Sequence, residues 1–120
     1  MKYDIHNVKD KFANIMVRLE KNKELLPANK KRIFEFERYA VSIGLKEARR
    51  LKYIGLLRWL SKELGKPFEN ATREDLEKIV GGVEKSDLTE WSKVDRKVTI
   101  KRFYKWLKCN DEEYPKVRQS

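Results

Sequence analysis

Two short sets of residues in this sequence have the types and the spacing to do chemistry. Lys46, Arg49, Arg50 and Tyr53 form one, and Thr89, Ser92, Lys93 and Arg96 form the other. At about 100° per residue, each set falls on one arc of a helix. The first lies opposite Ala48, Leu51 and Gly55, and the second opposite Trp91, Val94 and Val98. Lys and Arg on such an arc can neutralise phosphates or reach the O6/N7 edge of guanine. Ser and Thr hydroxyls and the free N–H groups of a first helical turn can hold phosphate oxygens, and a helix fits the major groove. The plain alternative is two solvated helix starts with their cations on the wet side.

Composition favours an anionic partner. The chain has 120 residues, with 29 Lys or Arg against 19 Asp or Glu and a formal net charge of +10. Nucleic acid ranks first and a membrane surface second, although Lys/Glu-rich surfaces also serve heat stability. The location of the charge separates these readings. Residues 46–66 carry seven basic and two acidic side chains, and residues 89–108 again seven and two. Residues 67–88 carry three basic and six acidic ones. The whole excess is thus matched by two segments with an acidic one between them, whereas a thermostability surface mixes both signs on every helix.

Those two segments need elements to present them, and the periodicity predicts helices throughout. A first helix is expected from about Asp10 to Lys23, with Phe12, Ile15, Met16 and Leu19 on one stripe and Leu25-Leu26-Pro27 as its end. Asn29 is the expected N-cap of a second, in which Ile33, Phe36, Ala40 and Ile43 share a face and Gly44 is the stop. The third runs from Lys46 to Leu64, apolar round most of its circumference from Leu51 onward, as for a helix that others surround. A fourth follows Thr72, with Asp75 completing a capping box and Gly81-Gly82 closing it. The fifth opens at Asp87-Leu88-Thr89-Glu90 and continues through Leu107, with Trp91, Val94 and Val98 on one stripe and Ile100, Phe103 and Leu107 on the next. No strand pattern competes, so the expected class is all-α. One domain, or one domain with a short appendage, fits the length.

Several chemistries lack their residues. His6 is the only histidine and Cys109 the only cysteine, which leaves no zinc set and no internal disulfide. There is no Gly-rich phosphate loop and no nucleophile elbow. The carboxylates from Glu69 to Glu77 are better explained by helix capping and a solvated face than as an acid/base site. Tyr39, Tyr53 and Tyr104 read as core or rim aromatics, and Cys109 as a residue without a redox task. No run reaches the roughly twenty apolar residues of a bilayer span. The expected location is therefore the cytoplasm, at the nucleoid when bound to DNA, with no membrane partner.

Residues 29–109 resemble a known family, the N-terminal core-binding (SAM-like) domain of tyrosine recombinases, the phage-type and archaeal integrases. The carriers are Phe34-Glu35-Phe36-Glu37-Arg38-Tyr39 and Gly44-Leu45-Lys46-Glu47-Ala48-Arg49-Arg50-Leu51-Lys52-Tyr53. They continue in Asp87-Leu88-Thr89-Glu90-Trp91-Ser92 and Ile100-Lys101-Arg102-Phe103-Tyr104-Lys105-Trp106-Leu107. Lys46 and Arg49 stand where the family has Ser and Thr, and Arg50 where it has an apolar residue.

The resemblance implies an orthogonal four-helix SAM-like bundle over 29–109, an extra N-terminal helix in 1–28, and a linker or loose tail over 110–120. It implies double-stranded DNA as partner, gripped by the starts of two basic helices. The expected contacts are Lys46, Arg49, Arg50, Lys52, Tyr53, Thr89, Ser92, Lys93, Arg96, Lys97 and Lys101. A separate catalytic domain of the same or a parent integrase would close the other half of the clamp, and copies would meet on DNA. The family's nucleophile and its Arg, Lys and His-x-x-Arg set are not matched here, so no catalysis, cofactor or metal is expected. The chain reads as a piece of a larger integrase or as a stand-alone remnant. The competing reading is a helical protein-interaction or regulatory module that touches no DNA, with residues 1–28 capping the core or meeting a partner.

Overall fold

A computed structural model describes residues 5–109, with side chains over residues 13–108, and these are all-helical with no strand among them. In chain order the elements are α1 (Ile5–Lys21), α2 (Pro27–Ser42), α3 (Glu47–Leu64), a 3-10 turn (Phe68–Asn70), α4 (Arg73–Lys85) and α5 (Glu90–Cys109). The expectations for the side chains of His6, Phe12 and Cys109, and for the segment 110–120, fall outside the described residues. No helix among the described residues is long and apolar enough to cross a membrane. The chain forms two compact units, Met1–Lys62 and Glu63–Ser120.

In the first unit α1 ends where the Asn22 side chain accepts a hydrogen bond from the Glu24 amide at 2.7 Å. This Asx turn offers the backbone an alternative to further helix. The expected N-cap at Asn29 is corrected. Leu26 is the cap residue and Pro27 opens α2, because a proline has no N–H to lose in a first turn and its fixed φ is already helical. Asn29 instead lies fully buried and donates to Ser61 Oγ at 2.8 Å, pinning α2 to α3. The same unit buries Leu19, Leu25, Ile33, Phe36, Ala40, Tyr53, Ile54, Leu57 and Leu60. Of the expected α1 stripe, Leu19 is buried and Ile15 and Met16 are half-buried.

In the second unit Thr72 and Asp75 form the expected capping box. The Thr72 hydroxyl accepts from the Asp75 amide at 3.1 Å, and the Asp75 carboxylate accepts from the Thr72 amide at 2.9 Å. Lys66 also reaches Asp75 at 2.7 Å, and these bonds hold its carboxyl down at about 2. The expected stop at Gly81-Gly82 is corrected: α4 continues to Lys85. Neither glycine has a positive φ, and the buried Val83 holds the last turn until Ser86 caps it by donating to Val83 O at 2.6 Å. Phe68, fully buried, meets Phe103 edge-on at 4.7 Å between ring centres. Tyr104 donates its hydroxyl to Phe68 O at 2.8 Å, and burial pushes that phenol's pKa up. Tyr104 is therefore a core residue, as its surroundings in the sequence suggest.

Candidate nucleic-acid interface

The start of α3 is set by the way α2 stops. Gly44, at φ +82°, takes the left-handed conformation that closes α2. The Gly44 amide donates to Val41 O at 3.0 Å and the Leu45 amide to Ala40 O at 3.0 Å, the paired bonds of a Schellman motif. The chain then re-enters helix with Lys46 as the flanking residue, whose carbonyl receives the Arg50 amide at 3.0 Å. Lys46, Arg49 and Lys52 are exposed. Lys46 is an unfavourable choice for folding alone. The positive end of a helix is stabilised by anions, and Ser, Thr, Asp or Asn normally stand at its cap. Here a lysine occupies that place and an exposed arginine follows three residues on, so the first turn of α3 gathers positive charge that its only acidic residue, Glu47, does not cancel.

Arg50 belongs to the scaffold. Its Nε donates to the Glu37 carboxylate at 2.8 Å and its Nη1 to Leu45 O at 2.8 Å, with only 14% of its side chain exposed. It clamps the first turn of α3 to α2 and to the connecting turn. Burial raises the pKa of Glu37, and the Arg50 hydrogen bond and charge oppose that rise. Tyr53 is also core, 5% exposed, with its ring 5.7 Å from that of Phe36 in an edge contact.

The start of α5 is arranged differently. Thr89 Oγ1 accepts from the Ser92 amide at 3.2 Å, and the Thr89 hydroxyl lies 3.2 Å from that of Ser92 as its donor. The Thr89 hydroxyl therefore caps the helix itself, with the Ser92 hydroxyl as its acceptor. Lys93, with 13% of its side chain exposed, donates to Glu84 O at 3.0 Å near the end of α4 and stands 3.6 Å from the Glu90 carboxylate. Lys97 binds the Glu84 carboxylate, which lowers the pKa of Glu84. Arg96 is half-buried.

The cause is the face that α5 turns inward. Lys93, Lys97, Ile100, Tyr104 and Leu107 follow one another at helical spacing. The buried end of that arc fixes the basic end beside α4, where carbonyls at a helix C-terminus and Glu84 attract cations. The opposite arc, Trp91, Val94 and Val98, is left outside at 81%, 44% and 47% exposed. Helical spacing groups these residues correctly, but it does not say which arc faces in. Lys101 is exposed on the outer side, and so is Lys105 one turn on, a residue absent from the expected site although its i+4 spacing from Lys101 was visible.

Next to the C-terminal half of α5, within the same unit, lies a groove of about 900 Å³. Leu76, Val80, Gly81, Tyr104 and Leu107 line it, with Arg73, Glu77 and Lys108 also around it. Among the described residues no group of three or more His, Cys, Asp or Glu could hold a metal ion. No family model matches the chain, and no curated protein and no solved structure is significantly similar to it.

Proposed function

We propose that the chain is a double-stranded-DNA-binding module of the core-binding, SAM-like class used by tyrosine recombinases, and that its primary contact is the first turn and a half of α3. The observation that carries the reading is the placement of exposed Lys46 and Arg49 at the positive end of a helix whose own stability would be better served by an anion, with exposed Lys52 in the next turn. Phosphate is the anion that such a turn is built to accept. Arg50 and Tyr53 support the turn from behind. Thr89, Ser92, Lys93 and Lys97 are engaged by their own unit and do not enter the primary contact. The chemistry of strand exchange is left to a separate catalytic domain.

The test is fluorescence anisotropy of a labelled duplex titrated with the protein at several salt concentrations. Three neutralised phosphates give a slope of log K against log salt of about −2.7, which is roughly a fortyfold loss of affinity between 50 and 200 mM salt. An affinity that does not change with salt, or no binding at 50 mM, overturns the reading.

A second reading has its own observation. The exposed Trp91, Val94 and Val98 stripe favours a helical protein-interaction surface on α5. The two surfaces lie on different helices, so a protein-interaction stripe on α5 does not by itself exclude a DNA contact on α3.

A further inference from the structure

An indole that is 81% exposed, followed at helical spacing by two valines nearly half-exposed, is apolar surface that water disfavours and that the module's own core does not use. We infer that this face of α5 is a self-association surface, on which a second copy of the chain packs its own α5 antiparallel to the first.

The occupant follows from the order of charges along the stripe. At one end stand Asp87 and Glu90, both exposed. Trp91, Val94 and Val98 fill the middle, and Lys101 and Lys105, both exposed, continue the arc at the other end. The distance from Trp91 to Lys101 along the axis is about 15 Å. An acid–apolar–base order is complementary to itself only when the second helix runs the opposite way. Trp91 of each copy then meets Val98 of the other, with Val94 at the centre. Glu90 and Lys101 lie on the same flank of α5, and in an antiparallel pair same flanks face each other, so each Glu90 meets the other copy's Lys101. The opposed helix dipoles add to this. Nucleic acid or an anionic membrane would fit worse, since either would press its charge against Asp87 and Glu90.

The surface is small. A tryptophan supplies about 200 Å², and two valines and their flanks do not bring the patch to the roughly 800 Å² per partner of a standard interface. The pair is therefore weak, with a dissociation constant of roughly 0.1–1 mM. It gains weight when two modules are held side by side and their local concentration rises.

Sedimentation equilibrium of the full chain tests this without DNA, so it stands or falls separately from the DNA reading. At about 0.15 M salt the long-range repulsion between two basic copies is screened. The average mass should rise from 14.4 kDa towards twice that value as the concentration approaches 1 mM. Trp91→Ser, at an exposed position where the fold does not depend on it, should remain monomeric. Glu90→Lys and Lys101→Glu should each weaken association about tenfold, and the double exchange in one chain should restore it, with circular dichroism showing every variant folded. A chain that stays monomeric to 1 mM, or association that survives Trp91→Ser, overturns the surface. Failure of the double exchange to restore what the single ones lose overturns the antiparallel pairing.

Discussion

Replacing Arg49 and Arg50 in turn by alanine separates a DNA contact from a scaffold clamp one residue apart. Arg50→Ala removes two charge-assisted hydrogen bonds, to Glu37 and to Leu45 O, both at 2.8 Å. It also leaves a largely buried carboxylate without its cation. Hydrogen bonds to charged groups are worth about 1.5–3 kcal/mol net, so a loss of about 2–3 kcal/mol follows. In a chain of this size that lowers Tm by roughly 8–12 °C.

The pH dependence carries a further sign. Burial already raises the Glu37 pKa from its ordinary 4.5, and loss of Arg50 raises it further. A folded-state pKa above the unfolded one means that the folded protein holds the proton more tightly. The penalty of the buried carboxylate then shrinks as pH falls through the folded value and is fully relieved below 4.5. The Arg50→Ala deficit is therefore largest at neutral pH and narrows on acidification. Arg49→Ala should leave Tm within about 2 °C, as exposed substitutions do. It should flatten the salt slope of duplex binding by about 0.9. Scanning calorimetry at two pH values and anisotropy on the same samples give both readouts. An Arg50→Ala protein as stable as the parent, or an Arg49→Ala protein that is destabilised, would refute the division of roles.

Three other changes probe the supports. Tyr104→Phe removes one of the two donors to Phe68 O, the Ala71 amide remaining at 3.2 Å, and should cost about 0.5–1.5 kcal/mol in urea unfolding. Asn29→Ala breaks the buried bond to Ser61 and opens a gap between α2 and α3, with an expected cost of about 2–3 kcal/mol by the same measurement. Asp75→Asn weakens the α4 cap. Because the Asp75 pKa is lowered from 3.8 to about 2, the carboxylate's contribution is complete above 3.8 and disappears as pH falls through about 2. The Tm gap between Asp75→Asn and the parent should close over that window.

The helices were legible because their signals are local. Thr72 with Asp75 writes its own cap, and the spacing of Ile33, Phe36 and Ala40 sets a face whatever packs on it. Pro27 misled because a proline after two leucines ends one helix and opens the next with equal chemistry, so Asn29, one turn in, passed for a cap. Gly81-Gly82 misled because a glycine pair stops a helix only if a residue there adopts positive φ, and Val83 needed the helix to continue. The candidate site was half legible. Lys46 and Arg49 are exposed as their arc required, but Tyr53 on the same arc is buried and Arg50 went to Glu37 thirteen positions earlier. Lys93 went to the Glu84 carbonyl and Lys97 to its carboxylate. Such pairings join different helices, and no periodicity within one helix reveals them. They also explain why a tryptophan that looks like core stands outside.

The central claim, that the first turns of α3 hold duplex DNA, is tested most directly by titrating the isotope-labelled protein with a short duplex and following backbone amide shifts. The account predicts the largest changes over residues 46–53, fading as salt is raised. Shifts confined to the Trp91, Val94 and Val98 face or to the groove beside Leu107, with α3 silent, would contradict it.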